Sequence, residues 1–314
     1  MFSKYKYVYA VHKEQSFTRA AQRLFISQPS LSAAIKNIEA EVGAPLFERC
    51  GGKVKLTEIG KEYIFAAEQI MSAENDFKRR INDIYTLVTG RLTVGGTNYL
   101  SSYVLPKIIT GFSSLHPNIE VNLVEANSQS LGAMMKDEQI DIVIDSFDDI
   151  DELYEGYPLA KEQIFLCVPS TLAINEALRE YRITPDIIRC GRDMVESIPF
   201  IPIEYFKNES FILLKNGNDM YYRAMKIFNN SGITPKVLFS VDQLNISYAL
   251  AESGIGLCFV TDTLVKYGAV HGNVSFYNVG EEHCSRTLYI AYKHGRYCTR
   301  AMREFIEIAR DLID

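Results

Sequence analysis

The sequence lacks the patterns that mark membrane spans and exported chains. No run of about 18 apolar residues occurs, which argues against a membrane-spanning helix. The first stretch, MFSKYKYVYAVHKEQSF, has no apolar segment ending in a small-residue cleavage site, so we expect no signal peptide. The six cysteines are scattered without a CxxC pair, which indicates reduced thiols in a cytosolic protein.

Motifs that would indicate an enzyme are also missing. No GxGxxG follows a strand and opens a helix, and Gly254 and Gly256 are better explained by a tight turn. Neither GxxxxGKS/T, HExxH nor GxSxG occurs. The acidic stretch DSFDDIDELYE lacks the glycine and the spacing of a calcium loop. We therefore predict no catalytic residues and no cofactor.

Histidine and cysteine are too sparsely placed to form a recognisable metal or redox site. The set that comes nearest to zinc ligands is His283, Cys284, His294 and Cys298. Its spacing matches no usual zinc module, so we predict no metal. Cys167 and Cys190 would need a neighbour that lowers a thiol pKa to act as a redox pair, and none is visible.

Length and charge indicate several domains with different partners. A chain of 314 residues is too long for one ordinary core, and its composition of 47% apolar and 23% charged residues is typical of globular domains. Residues 1–60 hold nine Lys or Arg against five Asp or Glu, a balance of +4 on a chain of net charge −6. The remaining residues therefore carry −10. A basic head on an acidic body indicates that only the head meets an anion.

Apolar spacing near the start predicts three short helices. The first covers about residues 4–13. Thr18 can cap the second helix, which buries Ala20, Ala21 and Leu24. Ile26 fills the turn, Ser27 caps the third helix, and Pro29 sits in its first turn, where the missing N–H costs nothing. The third helix then buries Leu31, Ala34 or Ile35, and Ile38. Two helices joined by such a turn make a helix-turn-helix.

The outward face of the third helix suits DNA. Its free N–H groups favour a phosphate, Gln28 can read an adenine edge, and Ser30 or Ser32 can donate or accept. Lys36 adds a phosphate or guanine contact. The stretch PLFERCGGKVKLTEIG predicts a hairpin wing with a basic tip and edge. The predicted DNA-binding residues are Thr18, Ser27, Gln28, Pro29, Ser30, Ser32, Ala33, Lys36, Arg49, Lys53 and Lys55.

Residues 16–60 resemble the N-terminal signature of LysR-type transcriptional regulators. The matching elements are Ser16-Phe17, Ala20-Ala21, Leu24, Ser27-Gln28-Pro29, Leu31-Ser32, Ile35, Glu39, Gly43, Leu46-Phe47, Arg49, Leu56-Thr57 and Gly60. The chain departs from the family pattern at Ala33, where a larger, often basic or polar residue is common. It also departs at Gly52, where a second Arg is common and Lys53 is the nearest replacement.

The next segment predicts one long helix with an apolar stripe. The stripe residues are Ile59, Tyr63, Ala66, Ile70, Ala73, Phe77, Ile81 and Ile84, spaced by three or four. This is close to a heptad seam and needs a partner surface. Packing on its own domain is the alternative. The resemblance favours a linker helix in which Tyr63, Ala66, Ile70, Ala73, Phe77, Ile81 and Ile84 form the dimer contact.

Beyond residue 90, strands alternate with helices. Strands are predicted at RLTVGGT, IEVNLVEA, IDIVID, QIFLCVPS, FILLK, KVLFSV and GIGLCFV. Alternation of this kind implies parallel sheets with ligands at the carboxyl ends of strands, and there are enough units for two α/β lobes. The resemblance, looser here, implies two lobes like those of periplasmic binding proteins, with an effector in the cleft.

Polar residues follow three of the predicted strands and open helices. The predicted effector-binding residues are Thr97, Asn98, Tyr99, Ser101, Ser102, Asn127, Ser128, Gln129, Lys215, Asn216, Asn218 and Asp219. Free N–H groups at helix starts and the charge of Lys215 favour a small carboxylate or an amino acid. Each residue could equally be a solvated loop or a cap, and we expect Asp219 and Asp242 to be N-caps.

The sequence thus predicts an α+β multi-domain protein. Residues 1–58 form a winged helix-turn-helix and residues 59–89 a linker helix. Residues 90–314 form the effector-binding domain, with lobe I at about 90–160 and 270–314 and lobe II at about 161–269. The resemblance implies promoter DNA, a small-molecule effector and RNA polymerase as partners of a cytoplasmic homodimer or homotetramer. The rival interpretation is a solute-binding or enzymatic α/β protein with a helical appendage.

Overall fold

The computed structural model describes residues 4–50, 53–85, 90–147, 153–268, 270, 272–279 and 284–313. The chain divides into two compact units, Met1–Ile84 and Tyr85–Asp314. The division falls within five residues of the predicted end of the linker helix at residue 89. No helix in the described ranges is long and apolar enough to cross a membrane.

The first unit is a winged helix-turn-helix followed by a long helix. Its elements are α1 (Tyr5–Glu14), α2 (Phe17–Arg23), α3 (Gln28–Val42), β1 (Phe47–Cys50), β2 (Lys53–Leu56) and α4 (Glu58–Tyr85). Val8, Ala20, Leu31 and Ile35 meet in one buried core. The strands β1 and β2 pair antiparallel as the predicted wing. Its tip, Gly51-Gly52, lies outside the described residues.

Side-chain caps fix the starts of α2 and α3. Ser27 Oγ accepts the N–H of Ser30 at 3.3 Å, as predicted for α3. The prediction for α2 was wrong, because Ser16 rather than Thr18 is its N-cap. Ser16 has an extended backbone and accepts the N–H of Arg19, whereas Thr18 already lies inside the helix, where a capping geometry is unavailable.

The apolar stripe of α4 is divided between two surroundings. Tyr63 is 4% exposed and packs in the core of its own unit, with Ile70 partly buried beside it. Placing Tyr63 in a dimer contact was therefore wrong, because the first turns of α4 cover the three-helix core. Gly60 allows this close approach, since a Cβ there would overlap the carbonyl oxygen of Leu46. Beyond the core, Phe77 is 64% and Ile81 37% exposed.

The second unit starts with a parallel layer, which we call lobe I. It comprises β3 (Gly90–Gly96), α5 (Asn98–Tyr103), α6 (Leu105–Leu115), β4 (Ile119–Glu125), α7 (Ser128–Lys136) and β5 (Ile142–Asp145). Strand β3 pairs in parallel with both β4 and β5. The carboxyl ends of these strands therefore share one edge, where α5 and α7 begin.

Lobe II contains most of the later helices and a second small sheet. Its elements are α8 (Ile174–Ala177), α9 (Pro185–Cys190), α10 (Arg192–Glu196), β7 (Ser210–Leu214), α11 (Asp219–Asn230), β8 (Lys236–Val241), α12 (Leu244–Glu252), β9 (Cys258–Thr261), α13 (Asp262–Tyr267) and β10 (Val274–Tyr277). Short 3-10 turns lie at Arg179–Tyr181 and Ile203–Phe206. Strands β7 and β8 pair in parallel.

One long strand, β6 (Tyr154–Pro169), runs through both lobes. Its first part pairs antiparallel with β11 (Ser285–Lys293), and its last part pairs antiparallel with β9 and β10. The expectation of parallel sheets was therefore wrong for β6 and β9, and the strands β10 and β11 were not predicted. Strand β10 belongs with lobe II, so the chain returns to lobe I after residue 277 rather than near 270. The final helix, α14 (Arg300–Ile313), packs Phe305 against Phe112 of α6.

Candidate nucleic-acid interface and interlobe cleft

The N-terminal half of α3 presents a small, polar and uncrowded surface. Leu31, Ile35 and Ile38 are buried on its inner side. Gln28, Pro29, Ser30, Ala33 and Lys36 are exposed on the other side, Ser27 is exposed at the cap, and Ser32 is half-buried. Gln28 Nε2 donates to Ser32 Oγ at 2.8 Å, and the Oγ atoms of Ser27 and Ser30 are 2.7 Å apart. These groups are held ready to exchange hydrogen bonds with a partner.

Basic residues flank this surface. Lys36 and Lys55 are exposed, and neither forms an ion pair with another described residue. The backbones of Arg49 and Lys53 lie in β1 and β2, while their side chains lie outside the described part. Thr18 is exposed in the first turn of α2. Positive charge beside hydrogen-bonding groups is the combination that duplex DNA requires.

One exposed residue in the turn before α3 was missed from the sequence. Phe25 is 96% exposed and has φ of +56°, which is uncommon for a residue with a side chain. Ile26 packs partly against the core as predicted. Only one of two adjacent apolar residues in so short a turn can face inward, and this was the available signal.

A cavity of about 120 Å³ lies between the two lobes of the second unit. Seven of the twelve predicted effector residues line it, namely Thr97, Asn98, Tyr99, Asn127, Ser128, Asn218 and Asp219. The carboxyl ends of β3, β4, β5 and β7 all reach its wall, as parallel pairing requires.

The other five predicted effector residues do not line the cavity and are engaged elsewhere. Ser101 and Ser102 donate to the carbonyl oxygens of Gly96 and Asn98 within their own turn. The backbone N–H of Gln129 donates to Gly217 O at 3.1 Å. Asn216 Oδ1 accepts from Tyr222 Oη, and Lys215 Nζ lies 2.7 Å from Asp242 Oδ2.

Two expected helix caps serve as ion-pair partners instead. The N-cap positions of α11 and α12 are occupied by Asn218 and Gln243. Asp219 accepts from Arg223 Nε at 2.8 Å and from Arg286, while Asp242 binds Lys215. The capping prediction for both aspartates was wrong, because cations from neighbouring segments hold their carboxylates.

Arg286 organises the floor of the cleft and was not anticipated. Its Nε donates to Glu162 Oε2 at 2.8 Å, and its other two nitrogens donate to Asp219 and to Tyr99 Oη. The Tyr99 hydroxyl in turn donates to Glu162 at 2.9 Å. Burial alone would lower the pKa of Arg286, but the surrounding Tyr99, Glu162 and Asp219 outweigh burial and raise it. The guanidinium therefore remains charged and is held by hydrogen bonds from each of its three nitrogens.

Asp145 ends β5 at the same cleft and has a different environment. It is 2% exposed, and its Oδ1 accepts the N–H of Ser146 at 2.9 Å. Burial raises the pKa of this carboxyl to about 6, although Arg286 and a hydrogen bond from Ser128 oppose the rise. No described cation forms an ion pair with it.

Hydrogen bonds join the two lobes around the cavity. Asn245 Nδ2 on α12 donates to Asn98 Oδ1 on α5 at 3.0 Å. Arg223 Nη2 on α11 donates to Ser146 Oγ after β5 at 3.1 Å. Side chains from both lobes therefore meet at the rim of the cavity.

The described residues offer no support for the metal and redox alternatives. No group of three or more potential ligands comes together within the described ranges, and His283 lies outside them. Cys167 is buried and Cys190 exposed. Burial raises the pKa of the Cys167 thiol, which is the opposite of activation.

The first unit is a winged helix-turn-helix, and the second unit has two α/β lobes with a cleft between them. This combination is typical of DNA-binding regulators that carry a substrate-binding domain. Residues 2–61 match the bacterial regulatory helix-turn-helix proteins of the lysR family, and residues 86–188 and 195–314 match the LysR substrate binding domain. The chain belongs to the LysR family of transcriptional regulators. Its members are not enzymes, which confirms that prediction.

Similar proteins extend over nearly the whole chain. YcgK of Bacillus subtilis, an uncharacterized HTH-type transcriptional regulator, is 29% identical over 98% of this chain and 93% of its own. The crystal structure of full-length CbnR with its target DNA covers 99% of each chain, with a TM-score of 0.57 and 18% identity. HinK of Pseudomonas aeruginosa covers 100% of this chain and 98% of its own, with a TM-score of 0.56 and 18% identity. At these sequence identities, the similarity to the solved structures shows a shared fold alone.

Proposed function

We propose that this regulator binds duplex promoter DNA through α3 and the wing, and that a small molecule in the interlobe cleft changes that binding. The exposed face of α3 supports the first part. Gln28 and Ser30 are exposed at the N-terminus of α3, and Lys36 is exposed about two turns later. The inner side of the helix buries Leu31, Ile35 and Ile38. A helix of this kind can enter a major groove with its first residues toward base edges.

The lining of the cleft supports the second part. Hydroxyl, amide and charged side chains from both lobes converge on one cavity, as is typical of small-molecule sites. A molecule that contacts both lobes alters their relative free energies only through its difference in affinity for the two arrangements. The hydrogen bonds across the rim, such as Asn245 to Asn98, are contacts that such a molecule would change.

The exposed end of α4 supports self-association. Phe77 and Ile81 are apolar and exposed, Ala73 is exposed, and Ala66 is half-buried on the same side of the helix. Two copies that cover these residues would present two α3 helices to a two-fold site. We propose a homodimer, or a homotetramer built from such dimers, that acts in the cytoplasm and contacts RNA polymerase.

Selection from random duplexes tests this function without knowledge of the target gene. The full chain is expected to enrich a site with two related half-sites, and its binding should weaken steeply with salt. The Gln28→Ala variant should enrich a site with relaxed preference at defined positions. The matched control is Gln22→Ala, which removes an exposed glutamine from α2. Equal loss of preference with both variants, or no enrichment at all, would contradict α3 as the reading helix.

A further inference from the structure

The lining of the cleft carries an excess of negative charge. Among the described residues, four carboxylates line the cavity, those of Glu125, Asp145, Asp219 and Asp242, and Arg286 is the one cation. This balance is unexpected for a site that receives a plain carboxylate, because like charges at short range repel.

Two of the four carboxylates already have partners. Asp219 lies between Arg223 and Arg286, and Asp242 binds Lys215. Arg286 is likewise engaged, since each of its three nitrogens donates to an oxygen of Glu162, Asp219 or Tyr99. The one cation among the described lining residues is therefore already paired with Glu162 and Asp219.

Asp145 has no such partner. It lines the cavity and is 2% exposed, and its hydrogen-bond donors are the neutral N–H of Ser146 and the neutral Ser128 side chain. Arg286 favours its charged form but forms no described ion pair with it. A buried carboxylate without a direct ion pair is costly to charge, and a cation bound to it would lower that cost. Thr97 faces the same cavity, and its buried Oγ1 has no hydrogen-bond partner among the described residues. Thr97 thus has an unused hydroxyl, and the carboxylate of Asp145 can accept further donors.

Resting on the proposed role of the cleft, we infer that its effector carries an ammonium group that binds Asp145 and donates toward Thr97. An ammonium has three donors and no acceptor, which matches a carboxylate and an unsatisfied hydroxyl that line the same cavity. Amino acids and simple amines share this chemistry. Aromatic and dicarboxylic acids without an amine do not, because they would bring a further negative charge beside Asp145.

Matched triplets of compounds test the inference on the full chain by titration calorimetry. Each triplet comprises an L-amino acid, the amine left by removing its carboxylate and the acid left by removing its ammonium, across all proteinogenic side chains. The best amino compound should bind at least about tenfold more tightly than its desamino acid. Tight binding by the amine as well would identify the ammonium alone as the determinant. A desamino acid that binds as tightly as its amino counterpart would overturn the inference.

The Asp145→Asn variant locates the effect, because it keeps the shape and removes the charge. It should lose at least about tenfold in affinity for the amino compound and little for the desamino acid. Asp186→Asn is the matched control, since Asp186 is an exposed carboxylate of lobe II. Equal binding by Asp145→Asn and Asp186→Asn would overturn the inference. Thermal unfolding shows whether Asp145→Asn is folded, and Asp145→Ala provides a second charge-free variant.

Failure of the inference and failure of the proposed cleft function give different results. Ser128→Trp places a bulky side chain in the cavity. If a desamino acid binds the wild-type chain and Ser128→Trp abolishes that binding, the cleft is the effector site and only the ammonium inference fails. If binding survives Ser128→Trp, both the cleft assignment and the inference fail. If no compound of any triplet binds, the inference fails and the cleft assignment does not depend on it.

Discussion

Arg286 Nη1 lies 2.5 Å from Asp219 Oδ2, so a buried ion pair joins β11 to the first residue of α11. The same guanidinium binds Glu162 on β6. The carboxylate of Asp219 is 13% exposed and the guanidinium 2% exposed. One cation therefore connects the long strands of the sheet to a helix of lobe II beneath the cleft.

Arg286→Met should destabilise the second unit strongly, because it leaves Glu162 and Asp219 buried with less counter-charge. Loss of one partner from a buried pair costs about 3–5 kcal/mol. Arg91→Met is the control, since the Arg91 guanidinium is 60% exposed and 3.9 Å from Glu120. It should cost under about 1 kcal/mol. Urea unfolding of the full chain measures both, and similar losses for the two variants would contradict the role given to Arg286.

The raised pKa of Asp145 predicts that the stability of the protein depends on pH in a defined window. Burial raises its pKa from 3.8 to about 6 in the folded protein. Between these values the folded state binds more protons than the unfolded state, so this residue makes stability fall as pH rises through the window. The loss amounts to about 3 kcal/mol above pH 6.

Comparing the wild type with Asp145→Asn isolates this contribution to stability from those of other carboxylates. One of these is Asp219, whose pKa is lowered by Arg286 and Arg223 against the effect of burial. The variant should gain stability relative to the wild type as pH rises from about 4 to about 6, and the difference should then stay constant. Urea unfolding across this range measures it. A difference that does not vary with pH would refute the assigned pKa.

The apolar end of α4 is expected to hold the dimer. Phe77→Glu combined with Ile81→Glu would place charges in the proposed contact and should yield monomers, because unpaired buried carboxylates are costly. Phe65→Glu is the control. Phe65 is 62% exposed but lies about 120° away around the helix from Phe77. Sedimentation should show an intact oligomer for the control. A double variant that sediments like the wild type would exclude this face as the dimer contact.

Gln28 and Lys55 should contribute to DNA binding in different ways. Gln28→Ala should reduce discrimination between matched and mismatched sites by about 1–3 kcal/mol. Lys55→Ala should weaken binding to all sequences by a similar factor and reduce the salt dependence by about one charge. Anisotropy titrations on matched and mismatched duplexes separate the two effects. Uniform weakening by Gln28→Ala would show that Gln28 contacts the backbone and not a base.

Local patterns predicted the first unit well, because caps and apolar spacing act within a few residues. The cap at Ser27, the hairpin after Leu46 and the extent of α4 follow from such patterns. The burial of Tyr63 within its own unit did not follow from the sequence. Periodicity identifies an apolar face of a helix but not the surface that covers it.

The lining of the cleft was predicted only in part, because local patterns do not show which distant residues meet. Residues that follow parallel strands, such as Thr97 and Ser128, reach the cavity because strand ends share an edge. Arg286 was missed because its carboxylate partner Glu162 lies 124 residues away along the chain. This ion pair depends on how β6 and β11 align, and the spacing of residues along the sequence does not indicate that alignment.

The most direct test of the account asks whether the cleft controls DNA binding. Anisotropy of the selected duplex would be followed with the full chain while the tightest-binding compound of the triplets is added. The wild type should change its DNA affinity, whereas Thr97→Ala combined with Ser128→Ala should keep its affinity without compound and lose the response. A response of normal size in that double variant would place the effector elsewhere and contradict the account.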